Sequence, residues 1–278
     1  PGGAAMGGGG QTLESLEGRI ELRDVVFDYP VPYKQPDEAE GGAATGPLLN
    51  NLSLTILPGS MTAIVGARHS GKTAVEELIQ RLYDPLHGTV LLDGQDVRTL
   101  DSDWLRENVV VVHQEPILLA MSIAQNIAYS LDSVTQAQVE AAARFANAHE
   151  FIQTIPDGYQ ALVGDTGVRL TGPQRLQVGL ARAVLSPGKI LILDETLSGL
   201  DEQSAGVVLD NLRREFAGAG KTIIALTAFP QSLRGAFDTV AMLHAGKISA
   251  QGTHQDLVSR SPEYGALVDP STSRIRMG

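Results

Sequence analysis

The feature that most constrains this chain is a glycine-containing loop between an apolar run and a helix-compatible segment. Residues 66–73 are GARHSGKT, preceded by the apolar Met61–Val65 run and followed by AVEELI at 74–79. The spacing G-x4-G-K-T between a strand and a helix is that of a phosphate-binding P-loop. Glycine turns let successive backbone N–H groups and the helix N-terminus point at phosphate oxygens. The alternative is a glycine turn that only caps a buried strand.

The residue types in the loop assign roles to individual side chains. Lys72 would place a point charge at the β- and γ-phosphates, and the Thr73 hydroxyl would ligate Mg²⁺. The residues expected to contact the nucleotide are Gly66, Arg68, His69, Ser70, Gly71, Lys72, Thr73 and Ala74. The cofactors predicted on this basis are ATP and Mg²⁺.

Composition bounds the class of protein. The 278 residues are 43% hydrophobic and 19% charged, which is ordinary for a soluble globular protein with a sizeable core. No apolar run approaches the roughly 20 residues that span a bilayer, so we expect no membrane crossing by this chain alone. The net charge of −11 argues against a nucleic-acid partner. With no cysteine, disulfides and thiolate metal sites are excluded, which fits the cytosol.

Two stretches have the composition of linkers or loops. Residues 1–10 (PGGAAMGGGG) are expected to be flexible, as an artificial leader or the tail of a preceding domain, and no signal peptide is visible. Residues 30–47 are rich in Pro, Gly and acid, which predicts a mobile loop. We expect a leader over 1–17, one domain over 18–265 and a tail over 266–278.

Hydrophobic periodicity predicts an α/β fold. It has a P-loop core with a mixed sheet, an antiparallel β layer and a helical subdomain at about 113–185. Strands are expected at 19–29, 48–57, 89–92, 109–112, 190–193, 222–227 and 239–243. Helices are expected after the P-loop, at 122–130, 136–155, 173–185 and 203–216, and in a closing tail. The four valines at 109–112 indicate a buried strand.

Two acids follow the apolar strand at 190–193, namely Asp194 and Glu195. Carboxylates at the end of a parallel strand lie at the crevice of the sheet, where a P-loop also opens. The alternative is a solvated Asp-Glu turn.

Taken in order, these motifs resemble the nucleotide-binding domain of an ABC transporter of the multidrug-exporter type, over about residues 17–265. The resemblance rests on the segments at 16–30, 104–116, 126–129, 147–159 and 163–167, together with the P-loop. It implies a P-loop NTPase (RecA-like) core. The loop at 163–167 resembles the exporter cross-talk loop, which contacts transmembrane coupling helices in the family.

The resemblance also implies roles for single residues. Tyr29 falls where the family stacks an aromatic ring on adenine, although it could instead be a core tyrosine. Gln114 would touch Mg²⁺ and the attacking water, whereas neighbouring His113 is expected to be a strand-end residue because no second metal ligand lies at suitable spacing. Asp194 would hold Mg²⁺ through water, and Glu195 would be the general base or water positioner. Asp201, in the D-loop SGLD, would be a dimer-contact acid.

The sequence departs from the family at three places. Arg68 and His69 replace a small residue and a glycine, and the Cβ of His69 is expected to strain the loop. The signature Leu-Ser-Gly-Gly-Gln is LTGPQ at 170–174, where Thr171, Gly172 and Gln174 would face the γ-phosphate held by a partner domain. Pro173 removes one backbone donor there, although proline suits a first helical turn. The switch histidine is replaced by Ala228.

Losing one preorganised donor costs about 10²–10³ in rate, so impaired hydrolysis is expected. One hypothesis is an ATPase motor of an exporter, working with a transmembrane domain and a second nucleotide-binding domain at the cytoplasmic face of a membrane. The second is a catalytically degenerate, ATP-binding regulatory half of an asymmetric transporter. The third is a soluble ABC-type ATPase of DNA maintenance, which the acidic charge disfavours. An unrelated P-loop kinase would not explain residues 170–183.

Overall fold

A computed structural model describes residues 9–30, 46–164, 167–233 and 235–269. Most of the predicted loop at 30–47, residues 1–8 of the predicted leader and residues 165–166 of the predicted cross-talk loop lie outside these ranges. In chain order, the strands are β1 (Ile20–Phe27), β2 (Leu49–Ile56), β3 (Met61–Val65), β4 (His87–Leu92), β5 (Gln95–Asp96), β6 (Val109–Val112), β7 (Ile190–Asp194), β8 (Thr222–Thr227), β9 (Thr239–His244) and β10 (Lys247–Gly252).

Helices follow most of the core strands. They are α1 (Lys72–Ile79), α2 (Ser102–Asn108), α3 (Ile123–Ile127), α4 (Gln136–Phe145), α5 (His149–Thr154), α6 (Gly172–Leu185), α7 (Glu202–Asn211), α8 (His254–Arg260) and α9 (Pro262–Val268). None of the helices within the described ranges is long and apolar enough to span a bilayer.

The strands form two sheets, as the sequence predicted. The smaller sheet is antiparallel, with the order β2-β1-β4-β5, and the larger one has the order β10-β9-β3-β8-β7-β6. In the larger sheet β9, β3, β8, β7 and β6 run parallel, while β10 is antiparallel to β9. The mixed sheet and the antiparallel layer of the α/β fold are therefore confirmed.

The central strands of the larger sheet, β9, β3, β8 and β7, are apolar on both faces because each face covers a different core. Along β7, Ile190 and Ile192 pack into the core shared with the antiparallel sheet and α1. Leu191 and Leu193 point to the other face and pack against helices from the 123–212 region. Burial on both faces explains why these strands are continuous apolar runs without alternation.

The helical segment between β6 and β7 is more broken than the sequence predicted. The helix expected over 136–155 is two helices, α4 and α5, because Asn147 adopts a left-handed backbone with φ 56. The buried Asn126 side chain and Arg182 of α6 tie the segment together, since the guanidinium donates to Asn126 O at 2.7 Å and to Asn126 Oδ1 at 3.0 Å.

Several other expectations need correction. The closing tail is not purely helical, because β10 forms a hairpin with β9 through Ala245 (φ 48) and Gly246 (φ 74). Alanine is rare at such a turn position, so the sequence carried a weak turn signal. The valine strand is buried at Val109 and Val112 but only partly buried at Val110 and Val111, because β6 lies at the sheet edge.

The predicted domain limits at residues 18 and 265 stay predictions, and the chain beyond each of them makes contacts. Within the expected leader, Gln11 donates its N–H to Thr99 O at 2.9 Å and accepts from Asp101 N at 2.9 Å. The boundary predicted at residue 265 falls inside α9. Chain on both sides of the expected domain therefore packs against it.

The β1–β4 pairing contains an irregularity that depends on a glycine. The register shifts between Arg23 and Val26, and Asp24 sits at φ 48. Opposite this bulge Gly88 has φ +83, and a Cβ there would lie 2.4 Å from both Arg23 O and Asp24 O. Gly94, in the next turn, has φ +81, and no atom of the described residues would lie within 4 Å of a Cβ there.

Gly88 and Gly94 both have a left-handed backbone, but only Gly88 is closely packed. Alanine variants at the two positions therefore distinguish the cost of backbone strain from the cost of a steric clash. Gly94→Ala should lower the free energy of unfolding by about 1 kcal/mol, which is the cost of the left-handed backbone. Gly88→Ala should lower it by about 2–4 kcal/mol, because the methyl group also meets two carbonyl oxygens. Urea unfolding of both variants measures the difference, and equal losses would contradict the packing described at the bulge.

Candidate functional site

The P-loop leaves the carboxyl end of β3 and opens α1. Gly66 N–H donates to Thr227 O of β8 at 3.2 Å, which anchors the start of the loop. Gly71 is the N-cap of α1 with φ 99, and a Cβ there would lie 2.7 Å from Leu49 Cδ2. A left-handed backbone pressed against β2 requires glycine at this position.

The two unusual loop residues keep the P-loop turn. His69 adopts φ 61, so the strain expected from its Cβ is present in the backbone. Both Arg68 and His69 line the cavity beside the loop.

Lys72 is held inside the loop. Its Nζ donates to Gly66 O at 2.9 Å and to Ala67 O at 3.0 Å, and it lies 3.8 Å from Glu195 Oε1. Burial lowers the pKa of the Lys72 ammonium, while Glu195 and Asp194 act in the opposite direction. The buried Ser70 Oγ has no hydrogen-bond partner within the described residues. A cation and an unpaired hydroxyl thus occur in one loop, as an anion-binding site needs.

Glu195 follows β7 with a strained backbone, at φ 48. Its Oε1 accepts the Ala228 N–H at 2.8 Å, and its Oε2 accepts the Thr227 hydroxyl at 3.0 Å. Both donors come from the end of β8, which lies beside β7 in the sheet. The carboxylate is therefore oriented by β8 without a histidine.

Sequence reasoning missed the contribution of Thr227. It treated the end of β8 only as the place where a histidine is lost, and the Ala228 side chain has indeed no donor to offer. The signal that was present is a hydroxyl residue at the last position of an otherwise apolar strand, Thr222–Thr227, next to the strand that carries Glu195.

A cavity of about 570 Å³ lies between the P-loop, β7 and the end of β8. The predicted site residues that line it are Tyr29, Arg68, His69, Gly71, Lys72, Thr73, Ala74, Gln114, Asp194 and Glu195. Four further lining residues were not predicted, namely Leu48, Glu77, Tyr83 and Phe229. Gly66 and Ser70 do not line it but shape the loop beneath.

An aromatic group forms one wall of this cavity. Tyr29 packs edge-on against Phe27 and Tyr83, with ring centroids 5.1 and 5.4 Å away. Its hydroxyl donates to Glu77 Oε2 at 2.5 Å, and burial raises the pKa of Glu77. Tyr29 thus packs against other aromatic side chains and also lines the cavity. Its stacking on adenine stays a prediction.

The signature residues Thr171, Gly172 and Gln174 lie outside this cavity lining. Thr171 is the N-cap of α6, and its N–H donates to Gln174 Oε1 at 2.9 Å in a capping box. Pro173 occupies the first turn, as its lack of an N–H allows.

Asp201 lies outside the cavity lining as well. It caps α7, where its Oδ1 accepts the Ser204 N–H at 2.9 Å and its Oδ2 the Ser204 hydroxyl at 2.6 Å.

His113 directly follows β6, as expected of a strand-end residue, and the expectation of no second ligand considered sequence spacing alone. The fold brings two possible metal ligands to it, although none lies near in sequence. His113 Nδ1 lies 4.0 Å from Glu76 Oε1 and 4.0 Å from Asp194 Oδ2. Burial raises the pKa of Glu76 to about 7, and the pKa of His113 is raised chiefly by Asp194.

Comparisons with known proteins agree with this geometry. A family model described as "ABC transporter" matches residues 49–198. The chain is 37% identical to "ABC transporter B family member 19" of Arabidopsis thaliana over 279 residues, covering 96% of this chain and 21% of that protein. It is 39% identical to "ABC multidrug transporter atrD" of Emericella nidulans, covering 94% and 19%. The chain thus spans about a fifth of the length of these curated relatives.

A solved structure is similar as well. A bacterial Atm1-family ABC exporter with ATP bound superposes with a TM-score of 0.80 at 30% identity, over 95% of this chain and 43% of that one. The family model covers more than half of the residues, and the fold, the P-loop and the acids after β7 occur in the same chain. On this evidence the chain belongs to the ABC transporter family and has the fold of its nucleotide-binding domain.

Proposed function

We propose that this chain is the ATP-binding motor domain of an exporter, that it closes on a second nucleotide-binding domain around Mg-ATP, and that it hydrolyses ATP slowly. The observation that carries the proposal is the meeting of Lys72, Asp194 and Glu195 at one cavity, with Ala228 where a switch histidine would stand. The names of the relatives, a multidrug transporter and an ABC exporter, support the exporter class.

The residues present fit ATP with Mg²⁺. The unpaired Ser70 hydroxyl and the Lys72 ammonium, now on two loop carbonyls, offer donors to phosphate oxygens. Thr73, Gln114 and Asp194 would hold the ion, since Mg²⁺ prefers oxygen ligands. When bound, Mg²⁺ neutralises charge on the β- and γ-phosphates. Tyr29 would pack against the base.

Glu195 would act as the general base or as the residue that positions the attacking water. Its carboxylate already accepts two hydrogen bonds from the end of β8. A histidine side chain would add a donor toward the γ-phosphate, which the alanine methyl group cannot supply. We therefore infer turnover that is slow but not abolished, which favours the motor over the degenerate regulatory half.

Two surfaces with exposed apolar side chains favour contacts with protein partners. Phe229, 40% exposed, lies between the nucleotide cavity and a second cavity of about 680 Å³. The other residues lining that second cavity are the buried apolar Leu197, Leu200 and Ala205 and the polar Ser198, Glu202, Gln231 and Ser232. A second nucleotide-binding domain would cover this face, with Thr171, Gly172, Gln174 and Asp201 at the shared boundary.

The other surface adjoins Arg182, whose guanidinium donates to Ile117 O and lies 5.5 Å from the Tyr129 ring centroid. Ile117 is 79% exposed and Tyr129 49% exposed. A transmembrane domain would contact this surface and hold the chain at the cytoplasmic face of a membrane.

Mg-ATP turnover by this chain should rise faster than linearly with protein concentration, because the composite site needs the signature segment of a second copy. Glu195→Gln should abolish the turnover while ATP binding persists. Phosphate release and nucleotide binding, measured over the same concentration series, test both statements. ATP binding without turnover at any concentration would contradict the motor and support the degenerate regulatory half.

Ala228→His should raise turnover by about 10²-fold, since it restores one preorganised donor at the γ-phosphate. Phosphate release at saturating Mg-ATP is the measurement, with Ala228→Leu as a side chain of similar size without a donor. An Ala228→His variant that binds ATP but turns over no faster would show that the missing histidine does not limit the rate.

Thr227→Val should lower turnover by about tenfold, because it removes a hydrogen bond to the charged Glu195 carboxylate and keeps the shape of the strand. Thr227→Ser retains the hydroxyl and should keep most of the activity. Turnover and ATP affinity are measured for both variants. Equal turnover in the valine and serine variants would contradict a positioning role for Thr227.

A further inference from the structure

Three side chains from three different elements meet beside the nucleotide cavity. Glu76 comes from α1, His113 follows β6 and Asp194 ends β7. One ligand atom from each lies within 4.8 Å of the others. Imidazole and carboxylate together are a ligand set for divalent transition metals.

Glu76 provides an independent sign that this cluster has a ligand. The residue is 1% exposed, and its Oε2 has no hydrogen-bond partner within the described residues. The other oxygen, Oε1, accepts from Gln80 Nε2 at 2.8 Å and faces His113. A buried carboxylate is costly unless a cation or donors satisfy it. An ion bound between Glu76 Oε1 and His113 would compensate the charge of this buried carboxylate, although Oε2 itself would still lack a donor.

We propose that Glu76, His113 and Asp194 form a binding site for a transition-metal ion of the Zn²⁺ or Co²⁺ class. An ion at the centre of three atoms at these separations would lie at most about 2.5 Å from each, compared with about 2.0–2.2 Å for zinc–nitrogen and zinc–oxygen bonds. His113 is exposed and lies after an edge strand, so a small shift of its ring closes the difference.

The imidazole distinguishes this site from that of Mg²⁺. Mg²⁺ takes oxygen ligands and keeps several waters, whereas a nitrogen ligand favours zinc, cobalt and nickel. The three ligands belong to this chain alone, so the site does not require a partner domain. The expected effect of metal binding rests on the proposed function. Asp194 would also hold the Mg²⁺ of Mg-ATP, so a transition-metal ion on the three residues would compete with Mg-ATP binding.

Binding of Co²⁺ to the nucleotide-free full chain tests the site, through the visible absorption bands of the ion and competition by Zn²⁺. We expect one ion per chain. His113→Ala and Glu76→Gln should each weaken binding by about tenfold or more, as the loss of ligands does. His87→Ala is the matched control, since His87 is an exposed histidine outside the cluster and its loss should leave the affinity unchanged.

Circular dichroism of each variant checks that it is folded before binding is compared. Equal affinity in wild type, His113→Ala and Glu76→Gln would overturn the proposal, as would an affinity lowered as much by His87→Ala. ATP binding is measured separately in the presence of Mg²⁺. A chain that binds cobalt through His113 but not ATP would refute the proposed function and leave the metal site standing.

Discussion

The register of four adjacent parallel strands is the constraint on which the site depends. In the order β3-β8-β7-β6, Val65 pairs with Thr227, Asp194 with Leu226, and Val112 with Leu193. The carboxyl ends of parallel strands lie at the same edge of a sheet. The chain segments that follow these four strands, of which the first begins at residue 66 and the last at residue 228, therefore meet there. A slip of one residue would turn each side chain to the opposite face, which would move the residues at these strand ends out of the site.

The charges at this edge explain its chemistry. The buried Lys72 stands beside Asp194 and Glu195, and the nearly inaccessible Glu76 lies behind them. Asp194 and Glu195 act on the Lys72 ammonium, and Asp194 also faces His113, so Mg²⁺ or a transition-metal ion would add positive charge beside Asp194. The proposed function and the proposed metal site therefore share Asp194.

The site also shows how a lost side chain is partly replaced. Ala228 has no side-chain donor, yet its backbone N–H and the Thr227 hydroxyl hold both oxygens of Glu195. The donor from residue 228 is its backbone N–H, so this hydrogen bond does not require a particular side chain at that position. What the alanine cannot replace is a donor that reaches beyond Glu195 to the phosphate. The proposal of slow hydrolysis rests on this difference: Glu195 is held in place, but residue 228 provides no side-chain donor to the phosphate.

The sequence by itself determined the family, the P-loop, the acids after β7 and most strands, because these follow from local spacing and apolar runs. It failed where the backbone took rare conformations, at Asn147 within the predicted helix and at the Ala245 turn before β10. Only the tertiary structure decided which distant residues touch: Thr227 with Glu195, and Glu76 with His113. Such pairs are set by strand order and helix packing, and these contacts between distant segments leave no periodic trace in the sequence.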